Sequence, residues 1–352
     1  MRILEEHPTT LFRAPETAFA ASPPEQRGTS RDGTRLLVAG AEGITHARFR
    51  DLPDQLRAGD LMVVNDSATI AGEVDATSDI RGPVVLHAAT PLDDGSWVVE
   101  VRTAPDAALA VLDVEPGERL STGSVVLTLV EAYPRTGSSP TGLGNRLWRA
   151  TVVGDLEAHL VRAGRPITYG YLDRRYPLEA YQTVFGTRPG SAEMPSAGRP
   201  FTSPIVTELV ARGVAVAPVT LHTGVSSQEV GEAPQAERFA VPEATARLVN
   251  AVRAGGGRVV AVGTTVTRAL ESAVADDDRV VARRGWTERV VTPAGPPRVV
   301  TGLVTGWHDP QASHLLLVEA VAGRELTQRA YDAAVSGGYL WHEFGDSALL
   351  LP

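Results

Sequence analysis

The chain contains no cysteine and no lysine. The first absence removes disulfides, thiolate metal sites, iron–sulfur clusters and cysteine nucleophiles together. The second removes any Schiff base to a carbonyl or to pyridoxal phosphate. It also removes the phosphate-binding loop of nucleotide hydrolases, which requires a lysine. All 33 basic residues are therefore arginine. Long apolar runs are missing too: Leu315-Leu316-Leu317-Val318 runs directly into Glu319, far short of a membrane span. At the N-terminus Glu5, Glu6 and His7 stand where a signal peptide would be apolar. A cytoplasmic protein with no membrane partner is expected.

What is present points to a folded protein of more than one unit. A chain of 352 residues is long for a single core. The net charge of −9 is the wrong sign for a general nucleic-acid binder. An RNA partner would have to meet a local arginine patch. The candidates are Arg162 with Arg165, Arg174-Arg175 and Arg283-Arg284, each of which could equally be a set of solvated side chains. Nothing in the sequence speaks to oligomeric state, and a monomer is the simpler expectation.

The texture of the chain changes twice. Residues 1–70 open irregularly, then give a strand at 35–38, a short helix at 49–56 and a buried strand at 61–64. From 71 to 153 short strand-like runs recur at 83–87, 96–101, 124–130 and 146–153. Turn signals separate them at 93–95, 115–117 and 135–140, and one helical stretch is expected at 106–112. This pattern predicts a small antiparallel β-barrel. After 154 strands and helices alternate. Helices are expected at 202–212, 242–254, 267–275, 315–322 and 326–335, with strands at 214–221, 258–262 and 299–304. The fold class expected is an α/β (α+β) main domain, 1–70 and 154–352, with an inserted small antiparallel β-barrel domain at 71–153.

Three turns could carry chemistry. Val262-Gly263-Thr264-Thr265 ends a buried strand in a small, hydroxyl-rich turn before a helix. Such a turn presents backbone N–H groups and the positive end of a helix dipole, which suits a carboxylate, a ribose hydroxyl or a phosphate. Thr265 could instead be only a helix cap. Arg268 and Glu271, three residues apart on that helix, could face a ligand or form a surface pair. Leu221-His222-Thr223-Gly224 and Asn65-Asp66 both follow strands, at the edge where open α/β sheets bind ligands. His222 there is either an acid–base group or a loop residue capping the sheet. Asp66 could bind ribose hydroxyls, accept a proton or make an Asx-turn. Trp307-His308 and His314 lack the spacing of a zinc site. Gly345-Asp346 could reach an active site if the C-terminus docks over it.

Taken in order, these segments resemble the S-adenosylmethionine:tRNA ribosyltransferase-isomerases. The resemblance runs from Arg31 to Leu350. It rests on Arg31-Asp32 with Arg35, Gly59 to Asp66, Gly164-Arg165-Pro166-Ile167, Tyr181-Gln182-Thr183-Val184 and Gly190-Ser191. It continues through Pro195 with Ala197-Gly198, Phe201-Thr202, Thr220-Leu221-His222, Val262 to Thr265 with Arg268, His308 with Pro310, and Gly345-Asp346. The resemblance implies transfer of the ribosyl part of S-adenosylmethionine to a 7-aminomethyl-7-deazaguanine base of tRNA. Rearrangement to an epoxycyclopentanediol follows, with release of adenine and methionine. S-adenosylmethionine is then a co-substrate; no metal and no pyridoxal phosphate are implied.

Carried onto this chain, the implied catalytic residues are Asp66, His222 and Asp346. The implied substrate-binding residues are Arg31, Asp32, Arg35, Asn65, Tyr181, Gln182, Thr183, Pro195, Ser196, Ala197, Gly198, Gly224, Gly263, Thr264, Thr265, Arg268, Glu271, His308 and Gly345. Of these, Asn65, Asp66, His222, Gly263, Thr264, Thr265 and Arg268 are expected to line one cleft. Three positions depart from the family pattern: Ala68 replaces an arginine, Pro200 a histidine and Gln311 a lysine. Each removes a hydrogen-bond donor. Activity on tRNA is expected to be weaker than in a member that keeps them. The alternatives are a divergent paralogue using a small-molecule acceptor or a different cleavage, and a non-catalytic nucleoside-binding protein.

Overall fold

The computed structural model describes residues 4, 6–137, 139, 142–226, 231–310 and 312–352. Ser138 and Pro140 of the expected 135–140 turn, and Gln311, lie outside the described residues. The chain begins with β1 (Arg35–Gly40), β2 (Gly43–Arg48), a 3-10 helix at Phe49–Gln55, β3 (Leu61–Asn65) and β4 (Ser67–Thr69). Six strands follow: β5 (Glu73–Ser78), β6 (Gly82–Pro91), β7 (Trp97–Thr103), β8 (Arg119–Thr122), β9 (Val125–Ala132) and β10 (Leu147–Val153). Next come α1 (Leu156–Ala163), β11 (Arg188–Ser191), α2 (Ser203–Ala211), β12 (Ala215–Leu221), β13 (Glu237–Val241), α3 (Glu243–Ala254) and β14 (Val259–Val262). The chain closes with α4 (Thr264–Ser272), β15 (Arg283–Thr287), β16 (Gly302–Thr305), α5 (Ser313–Ala322), α6 (Arg324–Ser336) and β17 (Ser347–Leu351).

One mixed sheet has the order β15-β13-β12-β3-β14-β16-β17-β1-β2. Its middle strands β12, β3, β14 and β16 are parallel. The sequence of β3, Leu-Met-Val-Val-Asn, is buried throughout, as a strand covered on both faces must be. Successive side chains point to opposite faces. Leu61 and Val63 join Val259 and Ala261 in one core, with Val249 of α3, Leu270 of α4 and Tyr331 of α6. Met62 and Val64 join Val260 and Val262 in the other, with Ile205 and Leu209 of α2 and Phe49 of the 3-10 helix. Helices therefore cover both faces, and the C-terminal ends of four parallel strands come out along one edge.

Strands β5 to β10 close into an antiparallel barrel in the order β10-β7-β6-β5-β8-β9. Its core contains Leu86, Trp97, Val99, Leu127 and Trp148, with Leu156 and Leu160 of α1 packed against it. The fold class is thus the one expected. Fully buried on the outer side of three neighbouring strands lies a charged row, Glu73, His87 and Glu100. His87 Nε2 is 3.0 Å from Glu73 and its Nδ1 is 3.2 Å from Glu100. Arg165 and Arg175, from the segment after the barrel, reach Glu73 at 2.6 and 2.5 Å. Arg146 lies 3.2 Å from Glu100 and 2.9 Å from Glu232 of the body. Two of the arginines offered as an RNA patch, Arg165 and Arg175, are therefore paired with this buried carboxylate. A buried carboxylate must be paired, and these pair it.

Several boundaries differ from the sequence-based expectation. Residues 106–112 form no helix. The buried guanidinium of Arg102 bonds the carbonyls of Ala107 and Ala108, at 2.6 and 3.1 Å, and so holds that backbone out of a helical ladder. The strand expected at 299–304 starts only at Gly302. Ahead of it, the N–H groups of Arg298, Val299 and Val300 donate to the carboxylate of Glu271. Helix α4 starts at Thr264, three residues earlier than the expected 267. Strands β2, β4, β5, β8, β11, β13, β15 and β17 and helix α1 have no counterpart in the sequence-based expectation. β17 is nevertheless buried over four of its five residues, between β1 and β16.

His87 yields a stability prediction. Burial alone would lower its pKa, but its bonds to Glu100 and Glu73 raise it above 6.5. Burial alone would raise Glu73 and Glu100. The His87 bond outweighs it in both, aided by Arg165 and Arg175 at Glu73 and by Arg146 and Arg102 at Glu100, and holds each at about 2. The histidine's contribution is complete below 6.5 and fades as pH rises through its raised value. The carboxylates contribute above 4.5 and lose that contribution as pH falls towards 2. The row is strongest between those limits. His87→Ala leaves two buried carboxylates without their shared partner and should cost about 3–5 kcal/mol. Urea unfolding followed by the fluorescence of Trp97 and Trp148 at pH 5.5 reads it; a loss below 1 kcal/mol would mean that the arginines suffice alone.

Candidate active site

The largest convergence of polar groups lies where β12, β14 and β16 end. Gly263 leaves β14 with φ +94° and ψ 159°, a region only glycine occupies freely. A Cβ there would meet that of Ala197 at 3.3 Å and Thr265 Oγ1 at 3.5 Å. Ala197 belongs to the 3-10 turn Ser196–Gly198, which packs beneath the Gly263 turn. Thr264 and Thr265 then open α4, so its first N–H groups face a cavity of about 250 Å³. Pro195, Ser196, Ala197, Gly224, Gly263, Thr264, Thr265, Arg268 and His308 all line it. Nine of the residues singled out in the sequence thus meet in one place.

Inside this cleft Arg268 is a clamp. It forms an ion pair with Glu237 and donates to the carbonyls of Gln235 and Arg289 at 3.0 and 3.1 Å. Glu237 in turn accepts from Gly224 N–H at 3.2 Å. The loops after β12 and β15 are thereby tied to α4. His308 bonds Thr305 Oγ1 through Nε2 at 3.0 Å and stacks on His314 with centroids 5.0 Å apart. Burial, then its histidine neighbours, pushes His308 well below its ordinary value. Burial, then Arg268, holds His314 down to about 4. Both rings are neutral at pH 7 and offer hydrogen bonds rather than charge.

The expectation of one shared cleft needs correction for Asn65, Asp66 and His222, none of which lines it. Asn65 turns toward α4: its side chain bonds both backbone groups of Leu221, at 2.8 and 3.0 Å, and lies 3.5 Å from Thr265 Oγ1. Side chains alternate at a strand end, so Asp66 turns the other way. It accepts from Thr220 Oγ1 at 2.6 Å and from Arg188 at 3.1 Å. His222 bonds Ser67 Oγ at 2.7 Å and lines a second, open depression with Arg188, Arg238 and Trp286. Burial, the largest influence, lowers its pKa, Asp66 opposes that, and Arg238 and Arg188 add to it. One thread links the two sides: Ser67 Oγ is 2.6 Å from Ser191 Oγ, which accepts from Thr223 N–H in the cleft wall.

The other expected residues lie outside the lining of this cleft, with Arg31, Gly345 and Asp346 around a small pocket beside it. Arg35 bonds Asp346 through its backbone N–H and its guanidinium at 2.7 to 3.0 Å, joining β1 to the start of β17. Leu340 N–H completes the Asp346 carboxylate at 2.9 Å. Arg31 donates to Gln182 O at 2.8 Å, and Asp32 accepts from Ser30 at 2.6 Å. Gln182 pairs with both backbone groups of Thr69 at 3.1 and 2.8 Å. Tyr181 and Thr183 are buried, Tyr181 against Phe344. Gly198 lies 3.4 Å, through an added Cβ, from Thr183, and Gly345 leaves no room for one beside Leu340. Glu271 caps the 298–300 backbone and turns away from the cleft. Sequence reasoning missed Glu193, His342 and Glu343, which line the cleft. Their signal was a charged or titratable residue set between apolar or small ones, as in Ala192-Glu193-Met194 and Trp341-His342-Glu343-Phe344.

The family model described as "Queuosine biosynthesis protein" matches residues 9–350. The chain belongs to the queuosine biosynthesis family. It is 37% identical over 347 residues to the S-adenosylmethionine:tRNA ribosyltransferase-isomerase of Thermus thermophilus, covering 94% of this chain and 97% of that one. It is 36% identical to the protein of that name from Gloeobacter violaceus, over 97% of this chain and 94% of the relative. Among solved structures, the S-adenosylmethionine tRNA ribosyltransferase of Thermotoga maritima is similar, with a TM-score of 0.53 at 27% identity. That likeness covers 97% of this chain and 99% of that one. Within this member of the family, Ala68 lies in β4, its Cα paired with that of Pro189, and Pro200 is buried beside Arg199. Among the described residues no helix is long and apolar enough to cross a membrane, and no group of three or more His, Asp or Glu is placed to hold a metal ion.

The Gly263 turn gives a direct test. Gly263→Ala forces a side chain into a glycine-only region against Ala197. It should cost about 1–3 kcal/mol and shift the first N–H groups of α4. Thr265→Ala keeps the backbone and should unfold within about 0.5 kcal/mol of the parent. Guanidinium unfolding of the two variants measures the contrast; equal stabilities would show that the turn relaxes freely.

Proposed function

We propose that the chain transfers the ribosyl part of S-adenosylmethionine to the 7-aminomethyl-7-deazaguanine base of a tRNA in the cytoplasm. The ribosyl part is rearranged to an epoxycyclopentanediol, and adenine and methionine are released. One observation carries this reading: the family match spans 9–350, and its 262–265 segment is the turn that aims α4 into the cleft. The N–H groups of that turn suit the ligand's carboxylate or ribose hydroxyls. Neutral His308 and His314 offer bonds to a nucleoside without repelling its sulfonium. In this reading the cleft residues hold S-adenosylmethionine. Asp66 and His222 serve the acceptor from the neighbouring depression, where Arg188, Arg238 and Trp286 suit phosphate and base. Asp346 acts by holding the C-terminal strand. Residues 71–153 form one unit set into a body made of 1–70 and 154–352, and the body carries the cleft.

A second reading is favoured by the replacements at Ala68 and Pro200, which remove an arginine and a histidine from the motifs beside the cleft. The scaffold and S-adenosylmethionine are then kept, and the acceptor is a small molecule. Arg188, 3.1 Å from Asp66, supplies a cation near the place the 65–68 motif left without one, and this supports the first reading over the second.

Product analysis separates the two. The purified chain is incubated with S-adenosylmethionine, with and without tRNA bearing the aminomethyl base. The first reading expects adenine and methionine in equal amounts only when the tRNA is present, with the tRNA gaining the cyclopentane group. Adenine release that ignores the tRNA would shift the assignment to the second. No adenine under either condition would defeat both.

A further inference from the structure

Glu193 and Glu343 enter the cleft from different elements, and neither is explained by the fold. Among the described residues, neither carboxylate has an ion-pair partner. Glu193 accepts from Tyr169 OH, from Ser226 Oγ and, at 2.8 Å, from Ser226 N–H. Glu343 accepts from Tyr171 OH at 3.1 Å. The two tyrosine rings stack with centroids 6.3 Å apart. His342, held at φ +68°, stacks on Tyr171 at 4.8 Å and lies 3.7 Å from Asp309. All the bonds to the two carboxylates come from neutral donors. Glu73, Glu100 and Asp60 take arginines, whereas Glu271 and Glu319, like this pair, take only neutral donors. A charge left without counter-charge in a buried site is costly. A second feature of the same cavity points to a ligand. Trp307 is 2% exposed, lines the cavity, and its Nε1–H has no partner among the described residues. That donor calls for an acceptor on the same guest.

We propose that Glu193 and Glu343 form a subsite for an organic cation, an ammonium or sulfonium centre of the ligand. The identity of that ligand rests on the function proposed above. S-adenosylmethionine carries a sulfonium and an α-ammonium, and the aminomethyl base carries a primary ammonium. The carboxylate of the amino acid and the ribose hydroxyls of S-adenosylmethionine supply acceptors for Trp307 and for the first turn of α4.

The subsite has a proton attached to it. Burial, then the charge of Glu193, pushes Glu343 up to about 8, against the opposing Tyr171 bond and the more distant Arg199. Burial also raises Glu193, against its bonds from Ser226 and Tyr169 and the charge of Arg146. The titratable and charged groups facing Glu343 are Glu193, Tyr171, Tyr169, Tyr181 and Arg199, with His342 its neighbour in sequence. Below pH 8 the empty site keeps a proton on Glu343. A bound cation favours the ionised form and expels it. Affinity for a cationic ligand therefore rises with pH up to about 8 and then levels off.

Calorimetry of the full chain at pH 7, in two buffers of different ionisation enthalpy, counts the protons released. The probes are S-adenosylmethionine, S-adenosylhomocysteine, 5′-methylthioadenosine and free 7-aminomethyl-7-deazaguanine. Release of about one proton is expected for the cationic probe that uses the subsite and none for neutral methylthioadenosine. Preference for the cation should fall by about tenfold or more in Glu343→Gln, a loss worth about one pKa unit of interaction. Glu343→Asp should restore the release in part, and circular dichroism confirms that both variants fold. Proton release with S-adenosylmethionine alone assigns the sulfonium; release with both adenosyl amino acids assigns their ammonium. Release with only the aminomethyl base keeps the subsite and moves it to the acceptor. If no adenosyl compound binds while that base does, the subsite stands and the S-adenosylmethionine reading falls. If S-adenosylmethionine and methylthioadenosine bind equally with no proton exchanged, the subsite is overturned while that reading survives. If no cation binds, the subsite is overturned outright.

Discussion

The amide of Asn65 is the pin on which the working edge of the sheet depends. β3 lies at the centre, parallel to β12 on one side and β14 on the other. Parallel strands could slide along one another if only apolar contacts held them, since burial has no direction. Asn65 removes that freedom. It bonds the N–H and the C=O of Leu221 together and comes within 3.5 Å of Thr265. One side chain therefore fixes the loop after β12 against the first turn of α4. The Gly263 backbone, at a φ that favours glycine and close to Ala197, fixes the third wall.

A second constraint sets the barrel against the body. The barrel presents a charged row where a smaller protein would present apolar side chains. A buried pair of unlike charges stabilises little over a hydrophobic contact, but it demands specific partners. Glu73 takes two arginines from the segment leaving the barrel, and Glu100 takes Arg146, which also reaches Glu232. Arginine suits such sites because its planar fork satisfies several acceptors at once and does not deprotonate. The absence of lysine is thus no handicap here. It also means that arginines cannot be read as RNA contacts from sequence alone, since many are consumed internally.

The architecture was legible where periodicity was strong. The buried strands at 61–64 and 258–262, the helices of the body and the strand texture of 71–153 all stand out in the sequence. What failed to show was decided by tertiary bonds. Residues 106–112 have a helical pattern, yet a single buried guanidinium takes their carbonyls. Residues 299–301 are apolar and β-branched, yet a carboxylate from α4 takes the N–H groups ahead of β16. In the site, motif order found the cleft turn but not its direction. Asn65 and Asp66 are neighbours in sequence and face opposite sides, which only the alternation at a strand end reveals. Glu193 and Glu343 are 150 residues apart, and no local pattern links them.

The cleft that results is unlike the rest of the molecule in its charge. The chain has 33 arginines, but among the described residues lining the cleft the only one is Arg268, already neutralised by Glu237. Its histidines are held neutral by burial. Two of its carboxylates, Glu193 and Glu343, have no ion-pair partner among the described residues and take only neutral donors. A polyanion gains little from entering such a space, and the function proposed above places the attraction for tRNA outside it, in the depression beside His222. The interior instead favours a guest that is cationic at one end and rich in acceptors at the other. In the function proposed above, the two demands are separated onto two adjoining surfaces, a sulfonium nucleoside in the cleft and an acceptor in the depression beside it. A thread of hydrogen bonds from His222 through Ser67 and Ser191 to Thr223 joins those surfaces.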